Sequence, residues 1–337
     1  MTAAALGDPG AASHDDGQPM VTTAIDPRLD LFAEIERLKR SRKAIILAHY
    51  YQDPDIQDVA DALGDSLDLA KRARDATDVE VILFCGVHFM AETAKILNPG
   101  KIVLVPDLKA GCSLAESCPG EALAQWRRLH PEHYVISYIN TTAAAKAESD
   151  IICTSSNAEK IVRAVPPTRP ILFCPDKNLG AWLARRCGRK MDLWPGTCIV
   201  HVTFSERLTL ELKAKNPGAK FIAHPECEEH ILRHADFVGS TRRLLEFVRD
   251  DPGTTFIVGT ESGILHTMHK AAPHKTLIQA PVEDGHGCNA CSSCPHMKLN
   301  TLEKMYLALR DLAPRIELDE GLRQRALVPL QRMLSLS

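Results

Sequence analysis

The sequence predicts an α/β protein of three pseudo-repeated αβα units, each a doubly wound parallel sheet, set around a pseudo-threefold axis. Three observations point there. Segments 46–66, 135–155 and 221–241 align without a gap: ILAHYYQDPDIQDVADALGDS, VISYINTTAAAKAESDIICTS and FIAHPECEEHILRHADFVGST. Within them His49, Tyr138 and His224 each lie twelve residues before an aspartate (Asp61, Asp150, Asp236), and each aspartate lies five residues before a hydroxyl (Ser66, Ser155, Thr241). A second apolar run, VILFCG, ILFCPD or FIVGTE, then follows each aspartate at nearly constant distance.

Each unit opens on a β-branched apolar run, KAIILAHY, YVISYIN or AKFIAHPE, with the composition of a buried strand. A helical turn and a short apolar step follow, ending in a small polar cluster (GDS, CTSSN, GST). The next helix is DSLDLAKRARDA, SSNAEKIVRAV or STRRLLEFVRD, and Ser156 with Glu159 has capping-box spacing. The second strand and a further helix (MAETAKIL, NLGAWLARR, SGILHTMHK) come next. Strands alternating with helices make a parallel sheet. Two C-terminal stretches, TLEKMYLALRDL and EGLRQRALVPLQRML, carry apolar residues at helical spacing and are expected to pack back on the body. The expected division is a disordered tail over 1–26, units over 27–111, 112–197 and 198–285, and a cysteine loop with C-terminal helices over 286–337.

Of the 337 residues 45% are hydrophobic and 25% charged, the mix of a folded globular chain, and the net charge of −3 carries no basic excess for nucleic acid. No apolar run reaches the ~18–20 residues of a membrane span. The N-terminus lacks the basic and apolar regions of a signal peptide, so a cytoplasmic location is expected. Eleven cysteines in a reducing compartment are not a disulfide framework. Cys85 and Cys174 end strand-like runs and read as buried structural thiols, as do Cys118, Cys153, Cys187 and Cys227.

Open parallel sheets bind ligands beyond the carboxyl ends of their strands. His49, Tyr51, Tyr138, Asn140, His224 and Glu226 lie at or just past such ends, and Ser66, Ser155 and Thr241 are expected at helix starts, where free N–H groups favour anions. Packed about one axis, these residues make a polar pocket suited to carboxylates or phosphate. Cys288, Cys291 and Cys294 are spaced C-x2-C-x2-C, which with His286 or His296 could also form a zinc site. The repeat offers another grouping, one cysteine per unit: Cys112, Cys198 and Cys294 follow their aspartates by 51, 48 and 58 residues. Three thiolates can hold a [4Fe-4S] cluster and leave one iron open as a Lewis acid. Cys288 and Cys291 would then be spare, or an accessory redox dithiol.

From about residue 30 to 335 the chain resembles the quinolinate synthase family. The resemblance rests on AHYYQ (48–52), ADALGDSL (60–67), FCGVHFMAETAKILNP (84–99), SYINTTAAAKAESD (137–150), CTSSNA (153–158), FCPDKNLG (173–180), AHPEC (223–227), GST (239–241) and CNACSSCPHM (288–297). It implies condensation of iminosuccinate (iminoaspartate) with dihydroxyacetone phosphate to quinolinate, phosphate and water. It implies a [4Fe-4S] cluster on Cys112, Cys198 and Cys294. Carried over by motif, substrate contacts fall on His49, Tyr51, Ser66, Tyr138, Asn140, Ser155, His201, His224, Glu226, Ser240 and Thr241. Glu226 with His224 is expected to shuttle protons, and Tyr51 with His49 to serve the triose. The partners expected are these small molecules, with functional coupling to L-aspartate oxidase and no nucleic acid or membrane. The triple-cysteine loop departs from those relatives that carry only its ligating cysteine. A hydro-lyase on the same scaffold and a redox sensor built on the cysteine loop are the rival readings.

Overall fold

A computed structural model describes residues 24–282 and 292–336. The expected tail up to residue 23, together with His286, Cys288 and Cys291, lies outside the described residues.

Three four-stranded sheets carry the molecule. The first holds β1 (Ala44–His49), β2 (Ala62–Gly64), β3 (Val81–Cys85) and β4 (Ile102–Leu104). The second holds β5 (Tyr134–Tyr138), β6 (Ile151–Cys153), β7 (Ile171–Cys174) and β8 (Asp192–Leu193). The third holds β9 (Lys220–Ala223), β10 (Phe237–Val238), β11 (Thr255–Gly259) and β12 (Thr276–Gln279). Every pairing is parallel, and each sheet runs second, first, third, fourth strand. Of the inner strands, β3 (VILFC) and β7 (ILFC) are buried from end to end and β1, β5, β9 and β11 beyond their first one or two residues, because helices cover both faces.

The repeated aspartates explain the constant register. Asp61, Asp150 and Asp236 each accept from the first strand of their own unit, at Ile46 N (2.8 Å), Val135 N (2.8 Å) and Phe221 N (2.7 Å). Each also meets a cation from the helix that precedes the unit: Lys39 (2.7 Å), Arg127 (2.7 Å) and Lys213 (3.3 Å). Those helices, Leu31–Ser41, Gly120–Leu129 and Glu206–Lys215, fall within the expected units 27–111, 112–197 and 198–285, although no helix was expected before the first strand.

The helix starts differ among units. Asp65 caps Ser66–Asp75 and Ser240 caps Thr241–Asp250, so Ser66 and Thr241 are first helical residues. The second unit departs from expectation. Its helix begins at Ala158, Ser155 lies in the loop before it, and the Ser156–Glu159 capping box does not form. Ser156 instead donates to Asp65 (2.7 Å) and lies 2.9 Å from the Ser240 hydroxyl, joining all three units. Glu159 turns outward to Arg163 and Arg186.

The C-terminal helices return to the body. Leu302–Asp311 packs on Leu31–Ser41, and Glu320–Ser335 covers the second unit at helix Ala143–Ala147 and β6. Among the described residues no helix is long and apolar enough to cross a membrane.

Candidate functional site

The first strands of the three sheets aim their carboxyl ends at one cavity. His49 ends β1, Tyr138 ends β5 and His224 follows β9; all three line the cavity and are buried. Tyr51, Asn140 and Glu226, each two residues on, line it too. So do Ser66, Ser155, Thr241 and His201. Ser240 is set back from it, spent on its helix cap and on Ser156.

Contacts across units hold these side chains. Tyr138 Oη donates to Glu226 Oε1 (2.6 Å), and His201 Nδ1 lies 2.9 Å from Glu226 Oε2. The Tyr51 hydroxyl sits between Thr241 Oγ1 (2.9 Å) and Thr260 Oγ1 (2.7 Å), and Thr260 also meets His201 Nε2 (3.0 Å). His224 Nε2 is 3.3 Å from Ser155 Oγ. His49 and His224 share one device: Nδ1 accepts the backbone N–H two residues on, from Tyr51 (3.2 Å) and Glu226 (3.4 Å). That leaves the proton of a neutral ring on Nε2.

Burial first, then His224, lowers His49 to about 3. Burial again, with His201 adding and Glu226 opposing, lowers His224 to about 3. Burial opposes ionisation of Glu226, but the charges of His201 and His224 and the bonds from His201 and Tyr138 outweigh it and hold the carboxyl at about 2. Burial, then Glu226, pushes both Tyr51 and Tyr138 well up. At neutral pH His49 and His224 are therefore neutral imidazoles and Tyr51 and Tyr138 neutral phenols, set around the ionised Glu226 carboxylate.

The three cysteines come from separate loops into the same cavity. Cys112 precedes helix Ser113–Ser117, and Ser113 brackets the Cys198 loop by donating to Thr197 O and accepting from Ile199 N, both at 3.2 Å. Gly196 lets that loop approach closely, since a Cβ there would lie 2.5 Å from Pro175 O. Cys294 N donates to Glu261 (3.1 Å), whose other oxygen takes Gly263 N (2.7 Å). Burial pushes the Cys112 thiol up to about 12 and the Cys198 and Cys294 thiols upward as well. Half-buried sulfurs gathered this way fit a thiophilic cationic centre, which would hold them as thiolates. Cys198 Sγ, His201 and Glu226 lie within 4.8 Å of one another, so a nitrogen and an oxygen donor flank the sulfurs.

Several residues at the site escaped the sequence reading. Thr260 and Glu261 follow β11, and Asp176 follows β7. They occupy equivalent ends of the aligned runs ILFCPD and FIVGTE, so the signal was present. Burial raises Glu261 to about 7 against the pull of Lys298. Lys146 is fully buried and donates to Ile139 O (2.9 Å) and Thr141 O, clamping the turn that carries Asn140. Asn140 Oδ1 has no hydrogen-bond partner among the described residues, as expected of a group kept for a ligand.

Known proteins resemble this chain over most of its length. The family model described as Quinolinate synthetase A protein matches residues 33–335. A protein of Thermosynechococcus vestitus is 60% identical over 309 residues, 92% of this chain and 96% of its own. One from Prochlorococcus marinus (strain MIT 9303) is 56% identical over 92% of both chains, and one from Nostoc punctiforme is 55% identical over 94% of this chain and 100% of its own. Each of the three is named quinolinate synthase.

Proposed function

The chain belongs to the quinolinate synthetase A family, and from that premise we propose that it condenses iminosuccinate (iminoaspartate) with dihydroxyacetone phosphate, giving quinolinate, phosphate and water for de novo NAD biosynthesis. One observation carries this reading. A cysteine from each of three units enters a single cavity ringed by strand-end histidine, tyrosine and glutamate residues. Cys112, Cys198 and Cys294 would hold a [4Fe-4S] cluster. When bound by three thiolates, such a cluster supplies one open iron that acts as a Lewis acid on a substrate oxygen or nitrogen.

The chain's own groups divide the remaining work. Backbone N–H groups and hydroxyls at Ser66 and Thr241 begin helices and hold substrate carboxylate or phosphate. Ser155 and Asn140 complete that binding surface from the second unit. Glu226 and His224 form an acid–base pair, with Nδ1 of the imidazole 3.9 Å from the carboxylate. Ionised Glu226 accepts a proton released during enolisation, and His224 donates from Nε2 to a departing or developing oxyanion. Tyr138 and His201, both bonded to Glu226, fix its orientation. Tyr51, aligned by two threonine hydroxyls, and His49 serve the triose during isomerisation and loss of water. Burial keeps water from the reactive imine. The same reading places the protein in functional coupling with L-aspartate oxidase as a source of iminosuccinate.

The test is anaerobic. Purified protein mixed with both substrates should form quinolinate and release phosphate together. Turnover of a hydroxy acid by dehydration, without quinolinate, would assign the site to a hydro-lyase instead.

A further inference from the structure

We propose a second metal site, distinct from the cysteine cavity, on the outer rim of the second unit. Its ligands are His130, Glu132 and His133, and its ion is a first-row transition-metal dication such as Zn2+ or Ni2+. The argument starts from His133, which is only 8% exposed. Its Nε2 lies 2.7 Å from Asp192 Oδ2 on β8. A carboxylate can only accept, so Nε2 carries the proton and a neutral ring turns a lone pair outward at Nδ1. That buried Nδ1 faces Glu132 Oε1 at 2.8 Å without hydrogen-bond geometry, and it has no hydrogen-bond partner among the described residues. A lone pair and a carboxylate oxygen at this separation repel unless a proton or a metal cation lies between them, and the absence of hydrogen-bond geometry favours the metal.

The neighbouring donor completes the set. His130 Nδ1 lies 3.9 Å from the same carboxylate oxygen, and the three donor atoms fall within 4.8 Å of one another. Zinc takes nitrogen and oxygen at roughly 2.0–2.2 Å, which sets tetrahedral donors about 3.3–3.6 Å apart, and the separations of 2.8 and 3.9 Å lie on either side of that distance. Asp192 on the far nitrogen of His133 supplies the carboxylate that orients and strengthens a metal-bound imidazole. His130 caps the carboxyl end of helix Gly120–Leu129, where the dipole favours a cation. The arginines nearby are engaged elsewhere: Arg189 on the carbonyls of Val165, Pro166 and Arg169, and Arg163 on Glu159. Two imidazoles and a carboxylate select zinc, nickel, cobalt or copper over magnesium and calcium. Water fills the remaining positions, because His130 and Glu132 are exposed. The ion would tie the turn before β5 to the edge strand β8.

Trp126 makes the proposal measurable, since its ring stacks on His130 at 4.2 Å and meets His133 edge-on at 4.9 Å. NiCl2 is titrated anaerobically into the full-length, cluster-loaded protein while tryptophan emission is recorded. Wild type should show saturable quenching, and Trp126→Phe should lose it. His130→Ala and Glu132→Gln change exposed residues and should weaken it at least about tenfold, as loss of one ligand does. Quinolinate formation should stay unchanged in these variants. His133→Ala should abolish the quench. Equal quenching in His130→Ala and wild type would place nickel elsewhere, on the cysteines for example, and overturn the proposal. Absence of quenching, with His133 doubly protonated by nitrogen NMR at neutral pH, would assign the contact to a proton and overturn it too.

Discussion

The back of each unit and its axial end evolved under opposite demands. At the back, Asp61, Asp150 and Asp236 do one job three times, each accepting the first-strand N–H and meeting a cation from the preceding helix. At the axis the equivalent positions differ: His49 with Tyr51, Tyr138 with Asn140, His224 with Glu226. Closing a strand–helix unit is the same problem in every copy. The proposed reaction of two unlike substrates would require an acid, a base and neutral donors at different points of one cavity. The repeat is thus preserved where it folds the chain and diverges where it does chemistry.

The largest effect that can break this contrast belongs to Glu226. Glu226→Gln keeps shape but removes the carboxylate that Tyr138 and His201 hold. Its kcat should fall by about 10²–10⁴, the usual worth of general acid–base catalysis, with iron content unchanged. Full turnover in a cluster-loaded variant would show that the axial divergence is not catalytic at this position.

Next come the three aspartates. Replacing each by alanine strands a backbone N–H and should cost about 1–3 kcal/mol of stability, measured by urea unfolding. The loss should follow burial, since the side chains are 14% exposed for Asp150, 30% for Asp61 and 45% for Asp236. Folded variants should keep their KM values. A selective loss of turnover from one of them would show that the back of the unit takes part in the chemistry.

The smallest effect is on pH. His49 and His224 are held at about 3 in the folded protein, below the ordinary value of 6.5. Between those values the unfolded chain binds more protons, so stability falls as pH drops below 6.5 and continues to fall toward 3. Glu226, held at about 2 against an ordinary 4.5, adds a loss in the same direction lower down. Moving from pH 7.5 to 5.5 should cost on the order of 1 kcal/mol per histidine. His224→Gln should lose less than wild type over that interval, and an equal loss would mean that these rings are not buried neutral.

The triplicated strands and helices were legible because buried parallel strands are continuous apolar runs and the aspartates fix the spacing. The fourth strand of each sheet was not: β4, β8 and β12 were all missed, and β8 is only two residues long with an exposed aspartate. Nor was the start of the second unit's helix. Ser156 and Glu159 have the spacing of a cap, but Ser156 is drawn off by Asp65 and Ser240, which are far away in sequence. The strand-end residues could be listed from the alignment, and one cysteine per unit could be counted. The role of Lys146 could not, because its partners are carbonyls of a turn that sequence does not display. Thr260 sits at the end of the aligned run FIVGTE, but its partners Tyr51 and His201 lie 209 and 59 residues away, so the run alone does not display its role.

The central claim is that Cys112, Cys198 and Cys294 jointly hold one inorganic centre. Iron and acid-labile sulfide should be assayed in anaerobically purified wild type and in each single Cys→Ala variant. The account predicts iron and sulfide in near-equal amounts in wild type, a severe loss in each of the three variants, and retention in Cys288→Ala and Cys291→Ala. Full iron and sulfide in Cys112→Ala or Cys198→Ala, with loss confined to residues 288–294, would contradict it.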